Sequence, residues 1–253
     1  MTPFKPLSDK PSVRSPWFWV PSLYFAQGIP YVAVMIVSVL MYKRLGVSNT
    51  DIALYTSWLN LPWVIKPFWS PFVDLLKTKR WWVVTMQLLI GGGLAGVAFT
   101  IPTVFFFQAS LAVFWLLAFS SATHDIAADG FYMLALDSHE QAFFVGIRST
   151  FYRIAIIAGQ GVLVMFAGFL ENSTGNIPLA WSVTFFILGG LFLALFLYHR
   201  YILPCPKGDK PSATVTPSTI FKEFFATFAS FFKKKQAFVA ILFMLLYRFP
   251  EAQ

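Results

Sequence analysis

The sequence WFWVPSLYFAQGIPYVAVMIVSVLM, Trp17–Met41, decides the fold because it carries no charged side chain over its whole length. The hydrocarbon core of a bilayer is about 30 Å thick, and one helix needs about 20 apolar residues to cross it. Six more apolar stretches follow, at about Ile52–Val73, Trp81–Ile101, Val104–Asp125, Phe143–Leu170, Leu179–His199 and one that begins at Gln236. The sequence therefore predicts an all-α polytopic membrane protein.

The composition excludes several other classes of protein. Of the 253 residues, 57% are hydrophobic and 12% are charged, whereas a soluble domain carries about 25% charged residues. A single cysteine, Cys205, excludes a disulfide scaffold. The net charge of +8 is typical of basic cytoplasmic loops on an apolar chain, and it does not by itself indicate nucleic-acid binding.

The links between the first six stretches are short, so consecutive helices should be antiparallel neighbours. We divide the chain into a cytoplasmic tail (1–16), a six-helix N-terminal lobe (17–200), a cytoplasmic inter-lobe loop (201–235) and the start of a C-terminal lobe (236–253). Because the chain stops about 18 residues into the seventh stretch, where lipid would leave backbone groups unpaired, we expect a fragment of a longer protein. The missing C-terminal lobe is then its partner.

The inter-lobe loop begins with proline and lysine and continues as a predicted amphipathic helix, Ser218–Phe232, that ends at three lysines. Its phenylalanines recur at i, i+3 and i+4 spacing, which is typical of a helix on an anionic leaflet. Packing of the same face against the protein's own helices is an equally good interpretation.

Loop charges predict the orientation. With the N-terminus in the cytoplasm, thirteen loop Lys and Arg residues lie on the cytoplasmic side. Only Lys43 and Arg44 then lie on the other side. The positive-inside rule thus predicts a cytoplasmic N-terminus in a multi-pass membrane protein.

The fourth stretch should continue as a helix past Asp125 towards Leu136, because no breaker occurs before Gly130. We single out four charged side chains in this part of the bundle: Lys66, Asp125, Asp129 and Arg153, all in the predicted cytoplasmic half. Each is costly in lipid unless it meets a partner or water. Either they form buried ion pairs that fix helix register, or they line a polar path that handles substrate charge or protons. On the first interpretation, Asp125 or Asp129 pairs with Arg153 or Lys66.

Other polar groups within the stretches include Gln27, Tyr152 and His124, the last with a packing role as its alternative. Enzyme motifs are incomplete. His139-Glu140 begins H-E-x-x-H, but Phe143 occupies the second ligand position, so the motif predicts no zinc site. Asp125 and Asp129 share one helix, unlike the usual intramembrane aspartyl dyad. We expect no enzyme, cofactor or metal.

The layout of six spans, a long loop and a second half resembles the major facilitator superfamily. Ser70-Pro-Phe-Val-Asp74, followed by Lys77-Thr-Lys-Arg80, is similar to that superfamily's loop 2–3 signature. It departs from the signature by Ser70 in place of the first glycine, by Leu75 in place of the first basic residue and by the lack of the inner glycine. The residues matched to this signature are Ser70, Asp74, Lys79 and Arg80.

Four segments resemble the AmpG-type muropeptide permeases and the related acetyl-CoA transporter group. They are Leu23-Tyr-Phe-Ala-Gln-Gly-Ile-Pro-Tyr31, Trp63-Val-Ile-Lys-Pro-Phe-Trp-Ser-Pro-Phe-Val-Asp74, Ser120-Ser-Ala-Thr-His-Asp-Ile-Ala-Ala-Asp129 and Gly146-Ile-Arg-Ser-Thr-Phe-Tyr-Arg153. The resemblance covers most of the first 200 residues. It matches Lys66, Asp125, Asp129, Tyr152 and Arg153 to the family's membrane charges and its Y-R motif.

This resemblance implies a secondary transporter in a bacterial inner membrane, with a proton-coupled import of a polar solute such as an anhydromuropeptide from cell-wall recycling. Its partners would be the small-molecule solute, protons and the lipid bilayer. A carrier of acetyl-CoA or of another sugar or peptide derivative is one alternative. A polytopic signalling or scaffold protein that transports nothing is the other.

Overall fold

A computed structural model describes residues 14–210 together with Ala226, Ala229, Ser230, Lys233, Phe238, Val239, Leu242 and Phe243. The chain divides into two units, Met1–Pro211 and Ser212–Gln253. In the second unit the described residues are helical except Lys233, which lies in a turn. The predicted amphipathic helix and the seventh stretch otherwise lie outside the described residues.

Within residues 14–210, five helices are long and apolar enough to cross a membrane. They are α1 (Pro16–Arg44), α3 (Lys79–Thr100), α4 (Phe106–Ala135), α5 (Ser138–Thr174) and α6 (Ile177–Ile202). The prediction of an all-α polytopic membrane protein is confirmed. Residues 138–142, which the sequence predicts as a link, instead form the first turn of α5, because Asp137 and Glu140 make a capping box there.

The second apolar stretch is helical but broken. The broken helix α2, residues 49–76, consists of Asn49–Thr56, the 3₁₀ turn Ser57–Asn60, Leu61–Val64 and Lys66–Leu76. Proline lacks a backbone N–H and interrupts helical hydrogen bonding. Pro62 and Pro67 each lie in the first turn of a new piece, where proline is tolerated. The break places Lys66 at the start of a fresh helical segment.

The α4 helix contacts both α3 and α1. The α3 helix packs against both α4 and α6, α1 packs against α5, and α5 contacts α6. Fully buried side chains fill the contacts of α3 with α4 and α6, among them Leu94, Phe114 and Phe185. A second apolar cluster around Trp19 and Phe131 fills the end of the bundle where α1 begins and α4 ends. Many other large apolar side chains are exposed, as expected for a surface that lipid covers.

Glycine allows the closest helix contacts. A Cβ atom on Gly28 of α1 would lie 2.9 Å from the backbone oxygen of Tyr152 on α5. A Cβ on Gly189 of α6 would lie 3.1 Å from the backbone oxygen of Gly91 on α3. At Gly28 a larger residue would require movement of the neighbouring backbone, and at Gly189 the neighbour would have to move by a few tenths of an ångström.

Candidate functional site

Two carboxylates on α4, Asp125 and Asp129, lie one helical turn apart, and each meets a cation from a different helix. Lys66, at the break in α2, places its Nζ 2.5 Å from Oδ2 of Asp125. Asp125 is buried, whereas the Lys66 side chain is 27% exposed. The predicted Lys66–Asp125 contact is therefore present, with its cation at the edge of the protein interior.

The other carboxylate belongs to a more open cluster. The hydroxyl of Tyr24 on α1 donates to Oδ1 of Asp129 at 3.0 Å. Arg148 on α5 places Nη1 3.0 Å from the Tyr24 hydroxyl and 3.5 Å from the same Asp129 oxygen. Half of the Asp129 side chain is exposed. A solute could therefore reach both the carboxylate and the guanidinium.

Aromatic rings hold Arg148 in place. Its guanidinium carbon lies 5.1 Å from the ring centre of Tyr24 and 5.0 Å from that of Tyr132, which is within the range of cation–π attraction. The Tyr132 hydroxyl donates to the backbone oxygen of Gln141 at 2.5 Å, which fixes the second ring. The site therefore presents a fixed cation beside an accessible carboxylate.

Arg153 does not take part in this arrangement. It is exposed, and within residues 14–210 it makes no ion pair. Of the two cations predicted as alternative partners of Asp125 or Asp129, the structure pairs Lys66 and not Arg153. Arg153 lies five residues after Arg148, which turns its side chain by about 140° from the face that carries Arg148. Arg148 was not singled out from the sequence. It lies four residues before Tyr152, so both side chains share one face of α5. That spacing is the sequence signal that could have placed Arg148 in the site.

Gln27 and Tyr152 lie near the carboxylates. Gln27 of α1 is buried beside Asp125, and its Oε1 has no hydrogen-bond partner among the described residues. Oδ1 of Asp125 likewise has none there. Tyr152 is partly exposed and packs against Gly28 of α1. The cluster thus contains buried polar atoms that a ligand group or a proton could satisfy.

His124, next to Asp125 in sequence, belongs to a different network. Its Nε2 lies 3.1 Å from Nε2 of Gln87 on α3, and Oε1 of Gln87 lies 3.0 Å from Nδ1 of His199 on α6. Nε2 of His199 in turn lies 2.9 Å from the Ser22 hydroxyl on α1. Gln87 and both histidines are fully buried. This buried polar chain, Ser22–His199–Gln87–His124, joins four helices.

The predicted loop 2–3 residues surround the start of α3. Lys79 forms an ion pair with Asp74, which lies one turn after Ser70 on α2. The Arg80 guanidinium donates to the backbone oxygens of Arg200 and Leu203 at the end of α6. Asp209 accepts hydrogen bonds from the backbone nitrogens of Lys79 and Arg80, at 2.6 and 3.0 Å. The segment after α6 is thereby bound to the first turn of α3.

At the opposite end of the bundle, Glu171 of α5 joins three helices. It pairs with Arg44 at the end of α1, whose Nε lies 2.9 Å away. It also accepts a hydrogen bond of 2.7 Å from the indole of Trp181 on α6. The sequence predicted Glu171 only as a loop residue, since nothing local indicates its partners.

Comparison with known proteins places these features in a family. The model of the BT1 family matches residues 25–248. The chain is similar to the anhydromuropeptide permease of Escherichia coli K12, with 24% identity over 238 residues, 91% of this chain and 45% of the relative. It is also similar to the putative transporter AmpG 4 of Rickettsia conorii, with 27% identity over 249 residues, 91% of this chain and 55% of the relative. The chain thus spans about half the length of the curated relatives it matches.

Proposed function

The chain belongs to the BT1 family, and from that premise we propose that it forms one lobe of a secondary transporter. The transporter imports a polar solute, of the anhydromuropeptide class, across a bacterial inner membrane and couples this import to protons. Relatives named as a permease and as a putative transporter favour a carrier over an enzyme or a scaffold. The observation that carries the proposal is the pair of α4 carboxylates, each held by a cation from a different helix.

Asp125 is our candidate for the coupling proton. Its only ion pair within residues 14–210 is with Lys66, and its Oδ1 is free of hydrogen bonds there. A proton on Asp125 would remove the charge that holds Lys66, whose side chain already reaches the surface of the lobe. Alternating access needs a site whose net charge differs between loaded and empty states, and this pair can change by one proton.

Asp129 and Arg148 are our candidates for solute binding. Muropeptides carry carboxylates, amides and hydroxyls, and a guanidinium binds carboxylates through paired hydrogen bonds. Two tyrosine rings already orient Arg148, so little side-chain freedom is lost when a solute binds. The exposed half of Asp129 can accept hydrogen bonds from amide or hydroxyl groups.

The orientation follows from loop charges, with the N-terminus and the segment after α6 in the cytoplasm. Both carboxylate clusters then lie in the cytoplasmic half of the bundle. We propose that these helices form the N-terminal lobe of a major facilitator-type transporter, in which a second lobe would close the cavity in front of α4.

Uptake of labelled anhydromuropeptide into proteoliposomes containing the complete two-lobed protein tests this function. We expect an imposed pH gradient, acidic outside, to drive accumulation. Asp125→Asn should abolish that accumulation but leave exchange of labelled for unlabelled solute intact. Arg148→Gln should reduce both processes, because it weakens solute binding itself.

Asp51→Asn serves as the matched control, since Asp51 is an exposed carboxylate in the first turn of α2. It should leave both assays unchanged. Full gradient-driven accumulation by Asp125→Asn would remove Asp125 from the coupling step. Transport of acetyl-CoA but not of anhydromuropeptide would assign the protein to a different solute.

A further inference from the structure

A cavity of about 670 Å³ lies beyond the candidate transport site, where the segment after α6 meets the ends of α4 and α6. Its volume is in the range of ligand pockets, about 300–1,000 Å³. Residues from separate parts of the chain form its walls, among them Arg14, Arg80, Leu134, Tyr201, Cys205 and Lys207. None of these residues belongs to the Asp125 or Asp129 clusters.

The cavity is basic. Arg14, Arg80 and Lys207 line it, and no acidic side chain within residues 14–210 does so. Within residues 14–210 none of these three cations forms an ion pair. The acidic residue of the same segment, Asp209, is already bound to the first turn of α3. Three unneutralised cations at one cavity favour an anionic ligand.

The position of the cavity favours a lipid over a soluble anion. Its walls come from the beginning of α3 and the ends of α4 and α6, so it lies at one end of the membrane-spanning bundle, where headgroups lie. Leu134 and Tyr201 are exposed beside it, at 44% and 70% of their surface. An apolar wall next to three cations matches a phosphate headgroup followed by glycerol and acyl chains.

We propose that this cavity binds the phosphate headgroup of an anionic phospholipid. On the proposed orientation this lipid belongs to the cytoplasmic leaflet, whose anionic lipids attract basic segments near the membrane. The lipid would bridge the segment before α1, the start of α3 and the segment after α6. This proposal is independent of the transported solute and of the coupling proton.

Cys205 provides the measurement, because it lines the cavity, is exposed and is the one cysteine of the chain. The full chain in a neutral detergent is treated with a maleimide, and the rate of labelling of Cys205 is followed. The probes are dihexanoyl-phosphatidylglycerol, dihexanoyl-phosphatidylcholine and inorganic phosphate. We expect phosphatidylglycerol to slow labelling, and the other two to leave the rate unchanged.

The double variant Arg14→Gln/Lys207→Gln tests the cations. Removal of one basic residue near an anionic surface weakens attraction about fivefold. The variant should therefore need about 30-fold more phosphatidylglycerol for half protection. Lys210→Gln is the matched control, because Lys210 is an exposed lysine of the same segment that does not line the cavity. The Lys210→Gln variant should keep most of the protection. This result would distinguish binding at the cavity from a general attraction of basic residues to a negatively charged micelle.

Three results would overturn the proposal. Equal protection by phosphatidylcholine would mean that the apolar wall alone binds the lipid. Protection by inorganic phosphate would assign the cavity to a soluble phosphate compound. Unchanged protection in the double variant, with the fold checked by gel filtration, would exclude Arg14 and Lys207 from the site.

Discussion

His124 and Asp125 are neighbours in sequence on α4, yet their side chains enter different parts of the molecule. His124 faces α3 and joins the buried polar chain with Gln87, in which every linked side chain comes from a different helix. Asp125 faces α2 and forms an ion pair whose cation is partly exposed. One face of α4 is thus buried and joined to other helices by hydrogen bonds, although Nδ1 of His124 has no partner within residues 14–210. The other face carries charged side chains and is more open.

This difference indicates which polar groups serve structure and which are available for function. The buried polar chain holds α1, α3, α4 and α6 together, and its charge need not change. The charged face keeps a free carboxylate oxygen at Asp125 and a half-exposed carboxylate at Asp129. Groups that must bind a solute or a proton cannot be fully satisfied by the protein itself.

The largest expected effect comes from breaking the charged pair. Lys66→Gln leaves Asp125 as a buried charge without a partner, and breaking a buried pair costs about 3–5 kcal/mol. Because the Lys66 side chain is 27% exposed, water lessens the loss, and we expect about 3 kcal/mol in the free energy of unfolding. Unfolding of the chain in detergent measures it. The double variant Lys66→Gln/Asp125→Asn should lose less than Lys66→Gln alone.

Arg153→Gln combined with Asp125→Asn is the matched control for this cycle. Arg153 makes no ion pair within residues 14–210, so its effect should add to that of Asp125→Asn within about 0.5 kcal/mol. Additive losses for Lys66→Gln and Asp125→Asn as well would show that the observed contact contributes no stability.

The next effect concerns the buried face of α4. Gln87→Leu removes the one side chain that links the two histidines, so His124 Nε2 and His199 Nδ1 each lose their partner. A buried polar group without a partner costs about 1–3 kcal/mol. We expect a loss of about 2 kcal/mol in stability, with no change in the pH dependence of uptake by the complete protein.

Gln160→Leu is the control for Gln87→Leu, because Gln160 is an exposed glutamine within the membrane-spanning helix α5. It should leave the free energy of unfolding nearly unchanged. Equal losses for both glutamines would mean that the buried polar chain has no special role in holding the helices together.

Because a charged side chain in lipid is costly, part of the charged face of α4 could be predicted from the sequence. Lys66 and Asp125 had to find partners, and the structure brings them together. Pro62, Pro67 and Pro71 are likewise visible in the sequence as a signal of an interrupted helix in residues 49–76. Arg148 was not predicted, because the depth of a residue along α5 does not by itself give the face on which its side chain lies. His199 could not be linked to Gln87, since their contact depends on how α3 packs against α6, and no local pattern encodes that.

The smallest effect distinguishes the two arginines of α5 and so tests the face assigned to each. Arg148→Gln loses attraction to two tyrosine rings, about 0.5–1 kcal/mol for each at a partly exposed site. We expect a loss of about 1 kcal/mol in stability, since the glutamine can still donate a hydrogen bond to Tyr24 or Asp129. Arg153→Gln, on the exposed face, should stay within about 0.5 kcal/mol of the unmodified protein.

Arg148→Lys separates charge from shape at the same position. Lysine keeps the positive charge but lacks the planar guanidinium that stacks on Tyr24 and Tyr132, so it should recover only part of the lost stability. We expect the free energies of unfolding of the three variants, measured in one detergent, to follow the order Arg153→Gln, Arg148→Lys, Arg148→Gln from least to most destabilised. If Arg153→Gln were the most destabilised, α5 would have to be rotated by about 140° relative to α1. The contact of Gly28 with Tyr152 excludes that rotation, so such a result would contradict the arrangement of the charged face as a whole.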